Sequence, residues 1–260
     1  MENSNIQWTD NTVNFWTGCK KISIGCKNCY LYRIVAKNGG NGSTIKRVSD
    51  ATFYKSLYWK QPTVIFTCSM SDFFLPEADA WREDAWDVIR RTPQHTWQIL
   101  TKRPERIAEC LPPDWGAGWD NVWLGVSVEN QEYFKRVAIL NKIPAKIRFI
   151  SAEPLLEEID FLAEIDGERV IDSVQWVIIG GESGNSYGPY GYRPSEISWY
   201  ERAINDLKQN TSVAVFNKQL GCYLRDKLKL KHYHGGEMNE WPENLRIREF
   251  PIEDMSFNMS

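Results

Sequence analysis

At 260 residues, 42% hydrophobic and 25% charged, the chain can bury one large core and has the composition of an ordinary globular protein. A net charge of −3 and a pI near 5.8 argue against a protein that coats nucleic acid non-specifically. No apolar run approaches the ~20 residues of a membrane span, and the stretch from Met1 to Asn5 has no signal-peptide character, so a cytoplasmic setting with no membrane partner is expected. Six cysteines, three of them close together, read as metal chemistry in a reducing compartment rather than as a disulfide framework.

A short strand flanked by Trp8 and Trp16 leads into the stretch from Thr17 to Tyr30, which places Cys19, Cys26 and Cys29 in one loop spaced Cys-x6-Cys-x2-Cys. Gly18 and Gly25 let that loop fold back on itself. A structural zinc site asks for four closed ligands, whereas an iron–sulfur cube on three thiolates leaves one iron free to bind something else. Zinc, a redox dithiol and a pair of small buried hydrophobes stay open as alternatives to a cluster. His232 and His234 lie at the far end with the wrong spacing for zinc, and Cys68, Cys110 and Cys222 are scattered and read as core.

A helix is expected from Tyr30 to Ala36, then a glycine-rich break over Lys37 to Ser43. From there strands and helices alternate. Strands are expected over Thr63–Ser69, Thr96–Leu100, Asn121–Val126, Lys146–Ile150, Gln175–Ile179 and Val213–Phe216. Helices are expected over Ala80–Arg91, Glu105–Cys110, Gln131–Leu140 and Ser195–Lys208, with Ser195 as the cap of the last. Short apolar strands alternating with helices imply a parallel sheet covered on both faces. Each strand closes on polar residues: Ser69, Ser71 and Asp72; Thr101 and Lys102; Ser127 and Glu129; Ser151 and Glu153; Glu182 and Ser183; Asn217 and Lys218. In a barrel these ends meet on one rim. The expected fold is therefore α/β, a partial or open TIM-type (β/α) barrel of about six to seven units over residues 1–221. Residues 222–260 form a C-terminal extension packing on it, in which the alternation of charge and leucine from Leu224 to Lys231 reads as a solvated edge strand or a basic strip near the mouth.

The cysteine loop after a first strand, with polar strand ends on a barrel rim, resembles the radical S-adenosylmethionine (SAM) superfamily, whose usual spacing is Cys-x3-Cys-x2-Cys. From end to end the chain is similar to the phage and prophage three-cysteine-motif proteins, and more distantly to spore photoproduct lyases. The likeness is carried by Trp16-Thr17-Gly18-Cys19, Gly25-Cys26, Cys29-Tyr30, Ser69-Met70-Ser71-Asp72, Leu100-Thr101-Lys102-Arg103-Pro104, Ser151-Ala152-Glu153-Pro154 and Gly180-Gly181-Glu182-Ser183-Gly184.

That resemblance implies an enzyme with a [4Fe-4S] cluster on Cys19, Cys26 and Cys29 and SAM on the fourth iron, generating a 5′-deoxyadenosyl radical. Lys102 would meet the SAM carboxylate, and Ser69, Ser71 and Ser127 its amino group or ribose. Tyr30 would lie against the adenine, and Glu153 and Glu182 would serve SAM or substrate. It implies a flavodoxin- or ferredoxin-like electron donor and the host cytoplasm if a phage encodes the chain. The implied substrate is a nucleobase or its substituent, in DNA or less directly in tRNA, as in phage DNA hypermodification by an isomerase acting on an amino-acid-decorated thymidine. Asp72, Arg103, Glu129, Asn217, Lys218 and Arg225 are the candidate substrate contacts. The competing readings are a non-catalytic zinc or cluster-binding phage accessory protein and a radical SAM enzyme acting on a small molecule.

Overall fold

The computed structural model describes residues 4–184 and 191–252. Seven strands form one parallel sheet: β1 (Asn11–Val13), β2 (Val64–Thr67), β3 (Thr96–Thr101), β4 (Val122–Ser127), β5 (Ile147–Ala152), β6 (Trp176–Gly180) and β7 (Ala214–Gln219). Their order across the sheet is their order along the chain, and the sheet curls into a half-barrel. A doubly wound sheet would reverse direction at a switch point; this one never does. Seven α-helices lie among the described residues: α1 (Tyr30–Lys37), α2 (Asp50–Phe53), α3 (Asp79–Arg90), α4 (Ile107–Cys110), α5 (Lys135–Asn141), α6 (Ile197–Asn210) and α7 (Gly221–Leu228). None is long and apolar enough to cross a membrane.

Alternation along each strand sorts the side chains into two cores. Ile65, Trp97, Ile99, Leu124, Ile150, Val177 and Val215 join the large cluster with Val88, Val137, Leu140, Ala203 and Leu207 of the helices. The alternate residues Phe66, Trp123, Phe149, Trp176, Ile178 and Phe216 form a second cluster closed by Trp8. Each such side chain contributes about 1.5–3 kcal/mol relative to exposure. Inside the curl the aromatics need room. A Cβ on Gly125 would stand 2.4 Å from the Phe149 ring, so β4 carries no side chain there.

Two local expectations are corrected. The Leu224–Lys231 stretch is no edge strand: α7 covers it as far as Leu228 and ends on Lys229 in the left-handed region (φ +58°). Leu224 and Leu228 are four residues apart, a spacing that fits one helix face as well as strand alternation. Two of its four basic residues are matched, since Arg225 pairs with Asp226 and Lys227 with Glu196. Nor does Ser195 cap α6, which starts at Ile197 with Glu196 before it; Ser195 is buried beside the Tyr200 hydroxyl instead. The chain after α7 returns to the sheet. Asn217 donates its N–H to the Ile247 carbonyl at 2.9 Å and Glu249 to that of Val215 at 2.8 Å, so the free edge of β7 is paired.

Candidate functional site

The cysteine loop lies over the C-terminal ends of the strands because its backbone is tied there. Gly18 sits at φ +89°, where a Cβ would be 2.1 Å from the Thr44 carbonyl oxygen, so only glycine fits the turn. Its N–H donates to the Met70 carbonyl at 3.0 Å, and the Ser71 hydroxyl donates to its carbonyl at 2.5 Å. Cys26 follows in a single 3-10 turn (Ile24–Cys26), and Cys29 immediately precedes α1.

All three cysteines are free thiols and line one cavity of about 680 Å³. Burial, then the Asp72 carboxylate, pushes the Cys19 thiol up to about 12 against the opposing pull of Arg103, and burial raises Cys29 as well. Among the described residues no three His, Cys, Asp or Glu side chains converge on a single ion position.

Three carboxylates from three strand ends hold the loop in place. Asp72, after β2, accepts from the Thr101 hydroxyl at 2.7 Å and pairs at 3.0 Å with Arg103, whose other amino group donates to the Lys20 carbonyl at 2.8 Å. Glu129, after β4, is fully buried; it accepts from the Ser23 hydroxyl at 2.7 Å and pairs with Lys102 at 2.6 Å and Arg136 at 2.8 Å. Burial alone would push the Glu129 carboxyl up, but Lys102 and Arg136 outweigh it and hold it below the usual range. Gly25 lies flat on this carboxylate, where a Cβ would be 2.4 Å from Oε1. Glu182, after β6, accepts from the Arg193 backbone N–H at 2.8 Å and its Nε at 2.9 Å, and from the Asn28 amide at 3.3 Å. Arg193 in turn donates to the Ile24 carbonyl at 2.9 Å.

Tyr30, Ser69, Ser71, Lys102, Ser127, Glu153 and Glu182, the residues expected around SAM, all line the cavity, as do Asp72, Arg103 and Lys218. Glu153 pairs with Lys218 at 2.8 Å and accepts from the Ser151 hydroxyl at 3.3 Å. The cavity does not reach the other three expected substrate contacts. Glu129 is sealed beneath the loop, Asn217 spends its amide on the Leu245 carbonyl, and Arg225 donates to the Tyr233 carbonyl at 2.6 Å. Strand parity explains Asn217: Phe216 and Lys218 face inward, so the residue between them faces out. Asn28, Ser23 and Arg193 escaped the reading of the sequence, because no local pattern marks a side chain whose partner is supplied by a distant strand end.

The chain belongs to the family described as "Protein of unknown function (DUF5131)", whose model matches residues 3–245. No curated protein and no solved structure matches it.

Proposed function

We propose that this chain is a radical SAM enzyme that holds a [4Fe-4S] cluster on Cys19, Cys26 and Cys29, with SAM beside it. Its proposed substrate is a nucleobase or a base substituent, with isomerisation of an amino-acid-decorated thymidine in phage DNA as the concrete case. The observation that carries the reading is the convergence of three free thiols with Tyr30 and six polar strand-end side chains on one cavity at the mouth of a parallel half-barrel. The donor set fits the group, since a cube takes one thiolate per iron and its ligands need not converge on a point. A volume of about 680 Å³ lies within the usual range for small-molecule and cofactor sites.

When bound, cluster and SAM supply a one-electron cleavage to methionine and a 5′-deoxyadenosyl radical that takes a hydrogen atom from substrate. The chain's own part is binding and exclusion of water. Lys102 offers a cation to a carboxylate, and the hydroxyls of Ser69, Ser71 and Ser127 offer donors and acceptors to an amino group or a ribose. The aromatic plug beneath, from Phe66 to Phe216, keeps the floor dry.

Anaerobic reconstitution tests this directly. The expected result is a brown protein with about four iron and four sulfide per chain and an absorption shoulder near ~400 nm, which releases 5′-deoxyadenosine from SAM on reduction. A colourless protein with one tightly held zinc refutes the proposal in favour of a non-catalytic metal-binding role. Release of 5′-deoxyadenosine without oligonucleotide or nucleotide binding keeps the radical chemistry and moves the substrate to another class of small molecule.

A further inference from the structure

The charges around the cavity do not cancel. Each carboxylate on the wall has a basic partner: Asp72 has Arg103, Glu153 has Lys218 and Glu182 has Arg193. The converse fails. Arg33 and Lys55 line the same cavity, and neither pairs with a carboxylate among the described residues; the Lys55 ammonium only lies 5.5 Å from the Trp59 ring. His234, on the same wall, is driven down to about 4 by burial and then by Lys218, His232, Arg33 and Arg225, so Arg33 and Lys218 bear on one corner of the cavity. A neutral imidazole there serves as a hydrogen-bonding group. Tyr233 lines that cavity too, is 60% exposed and touches the rings of His232 and His234, the latter at 3.9 Å. An exposed flat ring in one cavity with two unmatched cations is the combination that a base and its phosphate require. Two uncompensated charges match a phosphomonoester or two successive phosphodiesters, whereas a lone carboxylate would leave one unmatched.

We propose that Arg33, Lys55, Lys218 and His234, with Tyr233 as stacking surface, form a phosphate subsite for a nucleotide, either free or within a strand. This rests on the nucleobase reading above and adds the residues that would recognise such a substrate. The test is fluorescence anisotropy with a labelled 12-nucleotide single-stranded DNA, with thymidine 5′-monophosphate and thymidine as competitors, on the wild type, the Arg33→Gln/Lys55→Gln double variant and Tyr233→Ala.

Wild type should bind, with thymidine monophosphate competing far better than thymidine. The double variant should lose at least about tenfold in affinity and about 1.4 from the slope of log K against log salt, at ~0.7 per phosphate contact on a single strand. Tyr233→Ala should lose about tenfold with the slope unchanged. Full competition by the monophosphate points to a free nucleotide, and competition only by oligonucleotide points to a strand; either supports the subsite. The proposal is overturned if wild type binds neither, if thymidine displaces the probe and does so as well as its monophosphate, or if the double variant keeps affinity and slope with an unchanged melting temperature. Iron content and reductive SAM cleavage, measured on the same samples, keep the two readings apart. Intact cluster chemistry with no nucleotide binding sinks the subsite alone, and nucleotide binding without a cluster leaves the subsite standing.

Discussion

Replacing Glu129 by alanine should destabilise the protein and loosen the cysteine loop together. The carboxylate is inaccessible, and its loss leaves Arg136, 7% exposed, with the Ser127 carbonyl at 2.7 Å and the Tyr133 ring at 4.1 Å but no carboxylate among the described residues, while the Ser23 hydroxyl loses its acceptor. Removing one partner of a buried ion pair costs about 3–5 kcal/mol. Lys102 is 21% exposed and can turn into the cavity, which places the expected cost near the lower end, about 3 kcal/mol. For a chain of this size that is a fall of about 6–12 °C in melting temperature. Circular dichroism on the metal-free protein measures it, and pulse labelling of Cys26 read by mass spectrometry measures the loop. That thiol is buried and should react several-fold faster in the variant. The carboxyl is held low in the folded state, so its contribution is present above the unfolded value of about 4.3 and is lost as pH falls through the folded one. The acid side of the stability profile should accordingly be shallower in Glu129→Gln than in wild type. A melting temperature within about 2 °C of wild type, with unchanged labelling of Cys26, would refute the clamp.

Gly25→Ala probes the same contact from the loop side: its Cβ would sit 2.4 Å from Glu129 Oε1 and 2.5 Å from Cγ, and overpacking of this kind costs about 1–3 kcal/mol, read as a lower urea midpoint. Cys26→Ala should lose nearly all reconstituted iron, while Cys222→Ser, far along the chain and bonded to the Gly184 N–H at 3.5 Å, should keep it; equal iron in both variants ends the assignment of the cluster to this loop. Lys102→Ala should retain iron yet bind SAM about tenfold more weakly by calorimetry. Unchanged affinity there removes the lysine's proposed role.

The strands and their order were legible because a parallel sheet buried on both faces leaves uninterrupted apolar runs, as in Val122–Ser127, and connecting helices return each strand beside the last. The rim was legible as a list of polar residues but not as two populations. Which strand-end residue points inward depends on pleat parity at the final turn, and a strand boundary uncertain by one residue inverts it. Lys218 and Asn217 differ in just this way. The partners of the carboxylates were hidden for a different reason: Glu182 meets Asn28 and Arg193, a pairing set by three-dimensional closure alone. In the Leu224–Lys231 stretch, alternation over eight residues satisfied both a strand and a helix, and tertiary packing of Leu224 decided for α7.

The division on the rim follows the strands themselves. Asp72, Glu129 and Glu182, which hold the loop at Lys20, Ser23 and Ile24 to Asn28, come after β2, β4 and β6. Lys102 and Glu153, after β3 and β5, and Lys218, near the end of β7, line the cavity together with Asp72 and Glu182 but, among the described residues, make no bond to the loop. Alternate strands of a barrel contribute to different side-chain layers, so the carboxylates that hold the loop alternate with ends that leave it free. Lys102 and Glu129 join the two sets at 2.6 Å. An anion that draws Lys102 into the cavity would thus take one cation from Glu129 and leave it Arg136 and Ser23, which makes the hold on the loop sensitive to what the cavity contains. Labelling of Cys26 in the metal-free protein should then respond to an added carboxylate ligand such as S-adenosylhomocysteine in wild type and not in Lys102→Ala, and an identical response in both would show that the two sets of strand ends act independently.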